Sequence, residues 1–184
     1  MNCTKGVHKN PFYIIFALII FLLVVSVLFK PVMRWFYPVY YMDEIKNYSS
    51  VYEIDEHLVM AVISTESKFQ KQAVSKRGAK GLMQLREETA AWCMEQFNID
   101  ANGRDIYNPD LNIQLGCAYL KYLTDKFGTS RQNALAAYNA GEGNVLKWLD
   151  GQKRETDIEN VPFPETRGYI DSVNKKEKIY RFLY

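Results

Sequence analysis

The chain has 184 residues, with 23 Lys and Arg against 21 Asp and Glu, for a net charge of +2. That length holds one domain with a sizeable core, and a charge so near balance selects no class of partner. Two histidines, His8 and His57, and three cysteines without a CxxC pair exclude the usual zinc patterns.

Phe12 to Phe29, FYIIFALIIFLLVVSVLF, has Ser26 as its one clearly polar residue. At 1.5 Å per residue the run makes roughly 27 Å of helix, about the thickness of a hydrocarbon core. A cleavable signal peptide is the competing reading. The run exceeds a usual h-region, however, and Phe29-Lys30-Pro31-Val32 offers no small-x-small cleavage site. Cys3 precedes the run, so it is not a lipoprotein cysteine at a cleavage site. The expectation is an uncleaved span over 12–29, with residues 1–11 before it and a juxtamembrane connector over 30–42. Trp35, Tyr37, Tyr40 and Tyr41 read as an aromatic belt at the interface. Pro31 and Pro38 predict a connector that does not continue as one regular helix. Lys5, His8 and Lys9 before the span, against Lys30 and Arg34 after it, leave the orientation undecided by charge.

Residues 43–184 read as one all-α domain. MDEIKNYSSVY, residues 42–52, places Ile45, Tyr48 and Tyr52 on one helical face. Asp55 is an N-cap for a helix through Thr65, with Leu58, Ala61, Val62 and Thr65 inward. Thr89 to Phe97 makes a short helix. Asn108-Pro109 is a start signal, a capping asparagine before a proline in the first turn, for a helix that Gly128 ends. Ser130 opens the next helix, which stops near Gly141. A short helix lies around Val145 to Leu149, and the last opens near Glu165 and runs to about Arg181. No segment alternates over six residues as a strand would. Asp150 to Asn160 is polar and reads as a surface connector, with a functional role there left open. Cys93 and Cys117 fall on two predicted helices, where a disulfide and two buried thiols are both open. His57 reads as a surface residue of a first helical turn.

One stretch carries the chemistry, Ile63 to Leu85, ISTESKFQKQAVSKRGAKGLMQL. Glu66 ends an apolar helical run and faces a basic, glycine-punctuated loop. A carboxylate partly desolvated there stays protonated nearer to neutral pH and can donate a proton. Gly78 and Gly81 allow backbone angles that other residues avoid, and Ser67, Ser75 and Gln84 can supply hydrogen bonds around the acid. Taken alone, an exposed glutamate at a helix end is the commoner outcome for such a sequence.

The stretch resembles the active-site signature of the lytic transglycosylases of the soluble, goose-lysozyme-related type. The matching residues are Glu66-Ser67, Ala73-Val74-Ser75, Gly78-Ala79, Gly81-Leu82-Met83-Gln84-Leu85 and Thr89-Ala90. Two more segments resemble the same family in the same order, Ala134–Gly141 (ALAAYNAG) and Pro162–Ile170 (PFPETRGYI). The resemblance covers residues 43–184 and implies a lysozyme-like helical domain behind a transmembrane anchor. It implies that Glu66 protonates the oxygen linking N-acetylmuramic acid to N-acetylglucosamine in peptidoglycan. Glu66 then acts as base while the C6 hydroxyl closes a 1,6-anhydro ring. Neither metal nor organic cofactor is implied. By the same resemblance Ser75 and Gln84 bond the saccharide near the acid, and the Tyr138 hydroxyl lies close to the catalytic carboxyl. Asn139 lines the cleft, and Glu165 organises the site rather than acting as nucleophile.

In place of the family's Met-Pro after LMQL this chain has Arg86-Glu87, which brings charge to the cleft edge. Six basic residues lie between Ser67 and Arg86, namely Lys68, Lys71, Lys76, Arg77, Lys80 and Arg86, with no acidic one. They suit either carboxylates of the cell wall or plain solvation, and no nucleic-acid motif accompanies them. A wall-cleaving domain must lie outside the cell membrane, which implies a single pass with a cytoplasmic N-terminus. Wall remodelling and passage of a secretion or conjugation assembly are both compatible. Two other functions stand beside this one. A hydrolytic muramidase needs a second carboxylate, for which Glu87 and Glu88 are the neighbours in sequence. A non-catalytic wall-binding scaffold needs no acid at all.

Overall fold

The computed structural model describes residues 11–151, 153 and 161–184. Cys3, Lys5, His8, Lys9 and nearly all of the polar connector after Gly151 lie outside them. Two compact units are present, one ending at Pro38 and the other spanning Val39 to Phe182.

The first unit is a single helix, α1 (Pro11–Phe36). It is long and apolar enough to cross a membrane, with a mean hydropathy of 3.1 in its most apolar window. The helix passes through Pro31, contrary to the connector expected there. Proline removes one N–H and one intrahelical hydrogen bond, but its fixed φ is already helical, so the turn closes around it. The real stop is Pro38, which restricts the residue before it to extended angles. With 26 residues, α1 is roughly 39 Å long.

The second unit is helical throughout: α2 (Met42–Val51), α3 (Glu56–Glu66), α4 (Glu87–Gln96), α5 (Pro109–Phe127), α6 (Arg131–Ala140), α7 (Glu142–Leu149) and α8 (Pro164–Leu183). Its only β pairing among the described residues is two isolated bridges, Val74 with Lys80 and Lys80 with Leu85. Local chemistry sets most helix starts. The Asp55 carboxylate accepts from the His57 and Leu58 amides, Asn108 from Leu111, and Ser130 from Asn133, as the capping residues predict. α4 begins at Glu87, two residues earlier than expected, behind an extended Arg86 that gives no side-chain cap. His57 is less exposed than a surface reading implies, at 14% for its side chain, because its ring turns back onto Asp55.

Two helices contribute the most buried apolar side chains to the core. Every residue of α3 from Leu58 to Ser64 is buried, the pattern of a helix enclosed on all sides. α5 buries Leu111, Ile113, Leu115, Cys117, Leu120, Leu123 and Phe127, and packs against α2, α4 and α6. Cys93 and Cys117 are free, buried thiols, so the disulfide alternative falls away. Burial pushes the Cys93 thiol up to about 12, and the Cys117 thiol also well up, which leaves both unreactive. At the base of α3 an ionic chain links three helices. Arg181 of α8 bridges Asp55 and the buried Glu177, and Glu177 also pairs with Arg131 of α6.

Candidate active site

The C-terminal end of α3 opens onto a cleft of about 590 Å³. Glu66, Ser75, Gln84, Tyr138, Asn139 and Glu165 all line it, together with Lys76, Arg77, Arg86, Thr89 and Tyr119. Residues from four separate stretches of sequence therefore meet at one surface.

Glu66 is the last residue of α3 and is half-buried. The chain leaves the helix sharply, with Lys68 and Phe69 both at positive φ (52° and 62°). Phe69 anchors this turn by packing edge-on against the buried Tyr180, with ring centroids 6.5 Å apart. The Ser67 hydroxyl bonds back to the Ile63 carbonyl at 3.2 Å, so it serves the helix end and not the carboxyl.

The loop from Ser67 to Arg86 is folded on its own polar groups. Ser75 Oγ accepts from the Ala79 amide at 3.0 Å and the Arg77 amide at 3.3 Å, fixing a turn around Gly78. Lys80 and Leu85 exchange backbone hydrogen bonds of 2.9 and 3.0 Å. Gln84, at φ 49°, donates its amide to the Gly81 carbonyl at 2.8 Å and the Ala73 carbonyl at 3.0 Å. Both of its N–H donors are thus spent on the loop, which leaves the amide oxygen for a ligand.

Asn112 of α5 locks the loop to the core. It is fully buried, accepts from the Met83 amide at 2.8 Å, and donates to the Ile106 and Lys80 carbonyls at 2.8 and 3.2 Å. Gly81 is required there: at φ +79° a Cβ would lie 2.3 Å from Asn112 Nδ2. Gly116 similarly makes room for Met83, whose sulfur a Cβ would meet at 2.2 Å. Tyr138 donates its hydroxyl to the Met83 carbonyl at 2.9 Å and not to Glu66. Asn139, next in α6, accepts from Thr166 of α8 at 2.9 Å and so ties two walls of the cleft together.

The electrostatics of Glu66 follow from this enclosure. Burial pushes its carboxyl from 4.5 up to about 7; the Tyr169 hydroxyl opposes the rise, the Glu165 charge adds to it, and Lys176 opposes it. The Tyr169 hydroxyl is buried without a well-formed hydrogen bond, yet lies close enough to the carboxyl to influence it. Such contacts are often long in an empty site and tighten around a substrate. Glu165 is largely exposed and meets Arg77 at 3.4 Å.

Sequence reasoning missed Asn112, Tyr169 and Lys176. Asn112 carried no motif. Tyr169 lies inside the family-like segment Pro162–Ile170 without having been singled out there, and Glu165, Tyr169, Ser172 and Lys176 repeat at helical spacing on one face of α8. That polar stripe meets the end of α3: Ser172 Oγ lies 3.4 Å from Thr65 Oγ1, and Lys176 donates to the Ser64 carbonyl at 2.8 Å. Among the described residues no cluster of three His, Cys, Asp or Glu is placed to hold a metal ion.

The profile of the transglycosylase SLT domain family matches residues 43–161. The chain belongs to that family. Its SLT domain is similar to the soluble lytic murein transglycosylase of Escherichia coli (strain K12), 36% identical over 153 residues, which are 80% of this chain and 24% of that protein. It is also similar to the membrane-bound lytic murein transglycosylase C of Edwardsiella ictaluri, at 32% identity over 77% of this chain and 46% of the relative. Among solved structures, an inactive glutamate-to-glutamine mutant of the lytic transglycosylase Slt from Pseudomonas aeruginosa superposes with a TM-score of 0.71. It is 34% identical over 78% of this chain and 24% of its own. The 70 kDa soluble lytic transglycosylase in complex with bulgecin A gives a TM-score of 0.73 at 35% identity, over 82% of this chain and 25% of its own. The all-helical, lysozyme-like fold expected from the resemblance is therefore the fold observed. The chain spans about a quarter to a half of the length of these relatives.

Proposed function

We propose that this SLT domain is a membrane-anchored lytic transglycosylase that cuts peptidoglycan strands between N-acetylmuramic acid and N-acetylglucosamine. The observation that carries the reading is Glu66, a half-buried carboxyl with its pKa raised to about 7 on the wall of a sugar-sized cleft. A carboxyl with that pKa holds its proton near neutral pH and can pass it to the glycosidic oxygen as the C1–O bond breaks. The carboxylate left behind takes the proton from the muramic acid C6 hydroxyl as that oxygen bonds to C1. The proton returns to Glu66, no water is consumed, and the product ends in a 1,6-anhydro ring.

The neighbours suit these two steps. Tyr169 and Lys176 favour the ionised form of Glu66, so they stabilise the state between the steps. The Gln84 amide oxygen, Ser75 and Asn139 line the path of the sugars and provide hydrogen-bonding groups for their hydroxyls and acetamides. Glu165 keeps negative charge near the acid and, through Arg77, steadies the basic loop. The inactive glutamine mutant of the Pseudomonas relative supports a glutamate at the centre of the chemistry.

A hydrolytic muramidase is less well supported. Glu87 pairs with Lys80 and does not line the cleft, and Glu88 lines a neighbouring hollow instead. Among the described residues Glu165 is then the one other carboxylate on the cleft wall, and it pairs with Arg77. A scaffold role leaves the desolvated acid without a purpose. The helix α1 and the membrane-bound relative support an anchored enzyme, and a peptidoglycan substrate puts its domain outside the cell membrane. The test is mass spectrometry of purified peptidoglycan digested by the full chain in detergent. Anhydro ends, lighter by one water than reducing ends, support the proposal, and reducing ends from the wild type contradict it.

A further inference from the structure

A second hollow of about 290 Å³ lies beside the Glu66 cleft, lined by Glu88, Thr89, Trp92, Tyr119, Tyr122 and Glu142. Thr89 and Tyr119 line both, so the two spaces adjoin along a shared wall. The wall is aromatic and none of its three rings is fully buried. Trp92 meets Tyr122 at 4.8 Å between ring centroids and Tyr119 at 6.1 Å, and Tyr119 in turn meets Tyr138 at 5.5 Å.

This wall is held in place before any ligand arrives. The Tyr122 hydroxyl donates to Glu142 at 2.9 Å and accepts from Lys126 at 2.7 Å, and Lys126 also pairs with Glu142. Those bonds use part of the acceptor capacity of Glu142, whose carboxylate has about four lone-pair sites. No described residue accepts a hydrogen bond from the Trp92 indole N–H. An apolar ring face, a fixed carboxylate and an unused N–H form a set that suits a pyranose. Its C–H face packs on an aromatic ring while its hydroxyls bond to polar groups at the edge.

We propose that Trp92, Tyr119, Tyr122 and Glu142 form an additional saccharide subsite, in which a further ring of the same glycan strand packs on Trp92. The inference rests on the transglycosylase reading and adds to it a preference for strand length. A strand long enough to reach the shelf gains a contact that a shorter one lacks.

The test uses the full chain in detergent with a ladder of peptide-free glycan oligomers of increasing length. Cleavage is measured for the wild type, Trp92→Ala and Trp92→Phe, and binding is measured calorimetrically in a Glu66→Gln background. The ratio of wild-type to Trp92→Ala kcat/KM is expected to rise by about tenfold from the shortest cleaved oligomer to the longest. Trp92→Phe is expected to restore most of the loss, and affinity in the Glu66→Gln background is expected to step up at the same length. A loss equal at all lengths makes Trp92 a packing residue and overturns the subsite, as does no loss at all. An affinity step that appears only when stem peptides are attached gives the shelf to peptide and also overturns it. A folded wild type that neither binds nor cleaves any oligomer instead overturns the transglycosylase reading beneath.

Discussion

At the scale of single residues, the account turns on one proton. In the proposed mechanism Glu66 is protonated at the start, so kcat/KM is expected to fall as pH rises through about 7. Lys176→Met removes a cation that holds the Glu66 pKa down, and should move that limb to higher pH; a pH–rate profile unchanged in position would refute the role given to Lys176. The same shift has a cost in stability. Below about pH 4.5 the carboxyl is protonated both folded and unfolded, and its burial carries no electrostatic penalty. Between there and about 7 the unfolded chain releases the proton while the folded one keeps it, so stability falls as pH rises and levels off above. The full penalty is on the order of 3 kcal/mol at most. Urea titrations should therefore find Glu66→Gln more stable than wild type at pH 8 and nearly equal at pH 4, and the reverse order would contradict the burial argument. Glu66 was legible in sequence because a motif and an apolar helix end coincide there. The effects of Tyr169 and Lys176 on it were not, because they depend on how α8 lies against the end of α3.

At the scale of elements, helix boundaries were readable wherever a local group decides them. Asp55, Asn108 and Ser130 each satisfy amides of their own first turn, a transaction visible within four residues of sequence. The continuation of α1 through Pro31 was not readable, since proline weakens a helix without forbidding it. The order of the loop from Ser67 to Arg86 was half readable. Its glycines showed that unusual angles were needed, but Asn112, the group they make room for, lies on a helix outside the motif. Two substitutions separate angle from space. Gly78 and Gly81 share φ +79°, but a Cβ at Gly78 meets nothing within 4 Å. Gly78→Ala should cost about 1 kcal/mol by chemical denaturation, and Gly81→Ala about 3 kcal/mol or more together with most of the activity. Equal costs would mean that Asn112 does not confine the loop. Asn112→Ala should likewise cost about 2–4 kcal/mol, since it strands the Met83 amide and two carbonyls.

At the scale of the whole molecule, an apolar helix of membrane length precedes an SLT domain that accounts for most of the remaining chain. Deleting residues 1–38 should move the protein from the carbonate-resistant membrane fraction to the soluble one; retention in the membrane would show that α1 is not the anchor. The central claim, however, is that one carboxyl serves first as acid and then as base, with the substrate's own hydroxyl in place of water. Digestion of purified peptidoglycan in ¹⁸O-labelled water, followed by mass spectrometry of the new chain ends, tests it most directly. The account predicts 1,6-anhydro ends that carry no label from the wild-type chain, and none from Glu66→Gln. Labelled reducing ends would show that water attacks C1, and would make the domain a hydrolase built on the same fold.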